Sequence, residues 1–191
     1  MMLNIPNGLT LLRIALIPCL ILVFYLSDHT LPANHKNLVA TLIFLLAAIT
    51  DWLDGYLARK LNQTSSFGAF IDPVADKLIV IAALILLVQL DRLDSIIAFI
   101  IIAREFTISS LREWMATLGK SGSITVAFIG KVKTTMQMIA ILFLLYHDNI
   151  LFLPIALLGK LLIYIAAFLT IVSMIYYLKI AFKIIKEQKD F

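Results

Sequence analysis

Charge is scarce in this chain. Only 15% of its 191 residues are Asp, Glu, Lys or Arg, while 62% are hydrophobic. A soluble domain carries about 25% charged and about 45–50% apolar residues. The shortage excludes a soluble globular fold of this size, because the polar surface needed to cover so much apolar matter is missing. Most of the chain must have the bilayer as its solvent. Cysteine is nearly absent too: Cys19 stands alone inside the first apolar run, which rules out an intrachain disulfide and leaves it a small packing or lipid-facing residue. The N-terminus, MMLNIPNGLTLLR, has no basic stretch ahead of its apolar run and no small-residue cleavage site, so the expectation is a retained first helix rather than a signal peptide. Repeats, low-complexity tracts and linkers are not visible, and the length suits one domain, 1–191. The formal net charge of +4 would hint at nucleic acid in a soluble protein. Here the cations sit in short segments between apolar runs, so they read as topology signals and no nucleic-acid partner is expected.

A membrane-spanning helix needs ~20 mostly apolar residues, and about six stretches qualify. They run Gly8–Leu26, Leu38–Leu57, Val74–Leu90, Ser95–Leu111, Ile124–Tyr146 and Lys160–Leu178. The expected fold is therefore an all-α integral membrane protein with six transmembrane helices. A short N-terminal segment around Ile5 and Pro6 is expected along the interface. Asp148–Gly159, which holds Pro154 and Gly159, is expected partly along the opposite one. Arg13, Arg59, Lys60, Arg112, Lys120, Lys131, Lys133, Lys179, Lys183, Lys186 and Lys189 fall at one set of helix ends. The other set holds only Lys36, Arg92 and Lys160. The positive-inside bias then puts both termini in the cytoplasm. The tail Lys179–Phe191 reads as a basic amphipathic extension suited to anionic headgroups.

The acidic residues are concentrated. Asp51 and Asp54 lie three apart at the cytoplasmic end of the second span, and Asp72 and Asp76 lie four apart at the start of the third. On helices, both spacings put a pair on one face. The short polar connection makes the two helices antiparallel neighbours, so the pairs share a depth and can face each other. An ionised Asp in a membrane helix costs roughly 2.5–3.5 kcal/mol on insertion scales. Hard divalent cations are the economical compensation, and two of them, Mg²⁺ or Mn²⁺, would need about this many carboxylates. Bland readings exist residue by residue. Asp72 before Pro73 looks like a helix N-cap. Asp51 suits an interfacial charge, Arg59 and Lys77 suit topology anchors, and Gly55 and Gly68 suit packing or turn positions. It is the joint pattern that argues for a site.

The pattern Asp51-x-x-Asp54-Gly55-x-x-Ala58-Arg59-x8-Gly68-x3-Asp72-x3-Asp76 resembles the signature of the CDP-alcohol phosphotransferases, with every position filled. The segments Asn4–Arg13, Ile102–Ala116 and Gly130–Thr134 are similar to the phosphatidylglycerophosphate synthase branch of that family. The resemblance implies a six-helix, usually dimeric membrane enzyme, with a divalent-cation-dependent site open to the cytoplasmic leaflet. For a bacterial chain, that is the inner membrane. It implies transfer of a phosphatidyl group from CDP-diacylglycerol, with glycerol 3-phosphate as the acceptor. By the same likeness Asp51, Asp54 and Asp72 are metal ligands, Asp76 is the catalytic base and touches metal as well, and Gly55, Ala58, Arg59 and Gly68 belong to the CDP side. Small residues there let a nucleotide approach the backbone closely.

An acceptor phosphate needs cations of its own. Arg104 lies inside an apolar span, which is costly and therefore suspicious. Arg112, Lys131 and Lys133 lie near the same membrane face. The alternatives are that Arg104 pairs with Glu105 or the Asp cluster, and that Arg112 and Lys120 anchor topology. Thr10 and Arg13 are candidates for phosphate contact on the lipid-nucleotide side, or interfacial residues. The polar loop Lys120–Ser123 is a candidate pocket wall, and His29, His35 and His147 read as loop residues on the far side. Two rivals stand beside the main reading. A cation transporter would also use intramembrane carboxylates, but nearer the midplane and in repeated halves. A sister enzyme using serine, inositol or phosphatidylglycerol would leave the basic set with less to bind.

Overall fold

The computed structural model describes residues 5–61, 66–119 and 128–189. They form six helices: α1 (Ile5–Tyr25), α2 (Ala33–Leu61), α3 (Ser66–Gln89), α4 (Ser95–Thr117), α5 (Phe128–Tyr146) and α6 (Ile155–Lys189). Among the described residues the only β feature is an isolated bridge between Ile150 and Leu153. The all-α expectation therefore holds. By length and composition, the segments Asn7–Tyr25, Ala33–Asp54 and Ile155–Phe182 can each cross a membrane, and Val132–Tyr146 is a shorter apolar helix. The apolar lengths of α3 and α4 are broken by Asp72, Asp76 and Lys77 and by Arg104, Glu105 and Arg112.

Most helices outrun the apolar stretches that announced them. Hydropathy marks where lipid ends, but a helix can continue into water, where its backbone is satisfied internally and its side chains are solvated. Thus α3 begins at Ser66, and Asp72 and Pro73 lie inside it. This corrects the N-cap reading of Asp72. Pro73 has no N–H to donate to the preceding turn. Ile5 and Pro6 form the first turn of α1, while residues 1–4 lie outside the described set. The connection expected over Asp148–Gly159 is shorter, because α6 starts at Ile155, directly after Pro154. The basic tail continues α6 as far as Lys189.

The apolar core runs through the bundle, with Leu20, Phe44, Leu84, Leu87, Ile101, Ile141 and Leu144 all fully buried. A smaller cluster of Ile108, Leu111, Met115, Tyr177 and Ala181 joins α4 to α6. Large apolar side chains also face outward, among them Leu22, Ile85, Phe99, Leu157 and Phe168. In water, patches of that extent would drive association. Facing hydrocarbon, they cost nothing. Gly159 permits a close approach of α6 to α5: a Cβ there would lie 3.0 Å from both Leu144 Cγ and Phe143 Cβ of α5.

The sparse cations of the far end close helix C-termini. Arg92 donates to the carbonyls of Leu144 and Leu145 at 3.2 and 2.9 Å and to Asn37 Oδ1 at 2.7 Å, with its guanidinium 5.9 Å from the centre of the Phe24 ring. Lys36 donates to the Leu26 carbonyl at 2.6 Å and to Asp28 at 2.7 Å. The last carbonyls of a helix have no intrahelical partner and carry partial negative charge, so cations there satisfy both needs. Asp28 lies in the connection after α1, and its hydrogen bond and charge pairing with Lys36 hold its carboxyl below the usual range.

Candidate active site

At the opposite end of the bundle three helices bring their charged residues together. The N-terminal half of α1 supplies Thr10 and Arg13, the C-terminal part of α2 supplies Asp51 and Asp54, and α3 supplies Asp72 and Asp76. Arg13 has no exposed surface, and its guanidinium is the hub. Nη1 donates to Asp76 Oδ1 and lies 3.3 Å from Asp51 Oδ1, while Nη2 donates to Asp54 Oδ2. Thr10 Oγ1 donates to Asp72 Oδ1, so the fourth carboxylate is held by the same helix. The side chains of Asp51 and Asp76 remain 52% and 44% exposed, whereas Asp54 is buried. The two helical pairs anticipated from spacing therefore do converge.

The electrostatics favour a further cation. With all five groups ionised, four carboxylates against one guanidinium leave three negative charges uncompensated in this cluster. Opposite charges 4 Å apart attract by about 4 kcal/mol at an effective dielectric of 20, which is comparable to the several kcal/mol of desolvation per ion. One arginine cannot neutralise four carboxylates, of which Asp54 is buried and the others remain partly exposed. The donors are all hard oxygens, the chemistry that suits Mg²⁺ or Mn²⁺. Among the described residues, however, no three acidic, His or Cys side chains are drawn around a common point as in a loaded centre. The guanidinium holds the place between them.

Beside the carboxylates opens a cavity of about 530 Å³. Arg13, Asp51 and Asp76 form one wall; Arg104, Glu105 and Arg112 of α4 and Lys133 of α5 form another. Apolar residues such as Phe44, Ile79 and Val80 complete it. Lys133 is 1% exposed and donates to Glu105 Oε1 at 2.5 Å, and Arg104 Nη1 donates to the same oxygen at 3.1 Å. Arg104 also lies over the Tyr177 ring, 5.9 Å from its centre. Of the two pairings open to Arg104 in the sequence, Glu105 is the one formed. Sequence reasoning gave Glu105 no place in the site and missed Ser109, Thr134 and Gln137, which also line the cavity. Glu105 was detectable as an acid within an apolar run; the neutral residues carried no comparable signal.

Other expected site residues are only partly visible. Gly68 is buried in the first turn of α3. Gly55, Ala58 and Arg59 lie in the last turns of α2, and Lys131 in the first turn of α5, but their side chains are outside the described set. Lys120–Ser123 also lies outside it.

The family model of the CDP-alcohol phosphatidyltransferases matches residues 3–172, a span that includes every element of this site. The chain belongs to the CDP-alcohol phosphatidyltransferase family. Within it, the chain is 51% identical over 180 residues to a protein of Haemophilus influenzae, covering 93% of each. It is 49% identical over 183 residues to one of Escherichia coli K12 (95% of this chain, 96% of that one). A third relative, from Wigglesworthia glossinidia brevipalpis, is 46% identical over 185 residues (96% and 97%). All three are named CDP-diacylglycerol–glycerol-3-phosphate 3-phosphatidyltransferase. Members of a CDP-alcohol phosphatidyltransferase family act on a nucleotide pyrophosphate, and the cations that line the cavity beside the carboxylates are suited to phosphate charge.

Proposed function

We propose that this chain transfers the phosphatidyl group of CDP-diacylglycerol to glycerol 3-phosphate, releasing CMP and phosphatidylglycerol phosphate. The observation that carries the reading is the adjacency of two charge systems at one end of the bundle. Three carboxylates gather around Arg13 with Asp72 held beside them by Thr10, and Arg104, Arg112 and Lys133 line the cavity next to them. The first suits a pyrophosphate brought in with cations, the second a phosphorylated acceptor.

In this reading all six helices span the bilayer, with both termini and the site on the cytoplasmic side of a bacterial inner membrane, and the chain works as a homodimer. Asp51, Asp54, Asp72 and Asp76 would hold two divalent cations, Mg²⁺ or Mn²⁺. When bound, such ions neutralise phosphate oxygens and the charge that grows on departing CMP. The protein's own groups do the rest. Thr10, Arg13, Gly55, Ala58, Arg59 and Gly68 border the nucleotide lipid. Arg104, Arg112, Lys131 and Lys133 hold the acceptor phosphate; an arginine offers a fork of donors and a lysine a point charge. Asp76, partly exposed to the cavity, takes the proton of the attacking hydroxyl as the new oxygen–phosphorus bond forms and the bond to CMP breaks. Positioning and electrostatics supply most of the acceleration in such transfers.

The test is CMP release by purified protein in detergent micelles holding CDP-diacylglycerol and a divalent salt, with a panel of alcohols. Release with glycerol 3-phosphate alone supports the reading. Release with serine, inositol or phosphatidylglycerol instead would keep the family chemistry and reject the acceptor.

A further inference from the structure

Two residues that line the cavity beside the carboxylates carry buried polar atoms with no partner among the described residues. Gln137 is 3% exposed, and its Oε1 is buried without a hydrogen-bond partner among the described residues. Arg104 Nε, from α4 at the same cavity, is also buried and without a partner among the described residues. Gln137 follows Lys133 by four residues on α5, so the two lie on one face of that helix, and both line the cavity. A buried amide oxygen without a donor is as costly as a lost hydrogen bond, so native proteins rarely keep one without use.

The unanswered atoms define a complement. The Arg104 Nε donor, beside a lysine already paired with Glu105, calls for an anionic oxygen. The Gln137 acceptor calls for a donor that is not a cation, since a cation would repel its neighbours. A hydroxyl a few bonds from a phosphate meets both demands. Glycerol 3-phosphate has two hydroxyls, of which the reaction consumes one. The secondary hydroxyl is left to be recognised.

We propose that Gln137 is a specificity-determining residue whose Oε1 accepts a hydrogen bond from the secondary hydroxyl of glycerol 3-phosphate while the adjacent cations hold the phosphate. Gripped at both points, the acceptor turns its primary hydroxyl toward Asp76. The inference rests on the acceptor reading given above and adds the residue that discriminates among phosphorylated alcohols.

The experiment compares glycerol 3-phosphate with 3-hydroxypropyl phosphate, which lacks only the secondary hydroxyl. CMP release is followed with the full chain in micelles holding CDP-diacylglycerol and Mg²⁺. The wild type is expected to favour glycerol 3-phosphate by about tenfold in kcat/KM, the scale of one neutral hydrogen bond. Gln137→Met keeps length and removes the acceptor. It should lower kcat/KM for glycerol 3-phosphate about tenfold and leave the deoxy acceptor within about twofold, so the preference collapses. Equal losses on both acceptors mean a merely structural role and overturn the proposal, as does a preference that survives in the variant. If Gln137→Met does not accumulate, Gln137→Leu is read the same way, and equal use of the two acceptors by the wild type overturns the proposal without any variant. A wild type that ignores both phosphates and uses an unphosphorylated alcohol rejects the acceptor reading itself, an outcome distinct from the others.

Discussion

At the residue scale, the site is organised by a buried cation. Arg13 is fully buried among carboxylates, and its fork reaches Asp54 and Asp76 with separate nitrogens. Lysine would keep the charge but lose the fork, so Arg13→Lys is expected to lower kcat at least tenfold, because a compact ammonium on a flexible stem does not reproduce the planar fork that spans the two acids. Single-turnover measurements of CMP formation would check this; an unchanged rate would show that the charge alone matters. Asp76→Asn removes the proposed proton acceptor with little change in volume. Turnover should fall by 10²-fold or more, the usual worth of a general base, while the detergent-solubilised protein keeps its helical circular dichroism. Wild-type turnover would remove Asp76 from that role. In the second charge system, Glu105 holds both Lys133 and Arg104. Lys133→Met should raise KM for glycerol 3-phosphate much more than KM for CDP-diacylglycerol; equal changes would argue against a dedicated acceptor pocket.

At the element scale, the site is assembled by helices that extend past their apolar lengths. Two turns of α3 precede the apolar run and carry Gly68 and Asp72. The spacing of Asp51, Asp54, Asp72 and Asp76 already showed the facing pairs, since helical periodicity is a local property. What spacing could not show was the contribution of α1. Thr10 and Arg13 lie 62 and 63 residues from their partners Asp72 and Asp76, and no local pattern encodes a contact at that range. The α5–α6 contact is another long-range feature, and it is set by Gly159. Gly159→Val would drive side-chain carbons into Leu144 and Phe143, whose atoms already lie 3.0 Å from a Cβ at that position. Overpacking of this kind costs typically about 1–3 kcal/mol. The expected result is a thermal midpoint in micelles lowered by several degrees, with KM values for both substrates unchanged in the surviving fraction. A midpoint equal to wild type would mean that the helices separate without penalty.

At the scale of the whole molecule, the two ends of the bundle are chemically unlike. One holds the carboxylate cluster and the cation-lined cavity. At the other, Lys36 and Arg92 are spent on capping helix ends. In the proposed orientation, a cysteine placed at Lys60 in a Cys19→Ser background should react with a membrane-impermeant maleimide only after the cytoplasmic face is exposed, and one at Asp28 should react from outside. The reverse pattern would invert the topology and move the site away from cytoplasmic substrates. Composition alone determined the solvent of this chain, because 62% hydrophobic residues leave no alternative to lipid. Local spacing determined the paired acids and the family likeness, because both are written within short stretches. Only the tertiary structure decided that Arg13 sits between the acids, that Glu105 gathers Arg104 and Lys133, and that Gln137 lines the cavity with its amide oxygen unpartnered among the described residues. Each depends on side chains meeting across helices, and packing rather than periodicity sets those meetings.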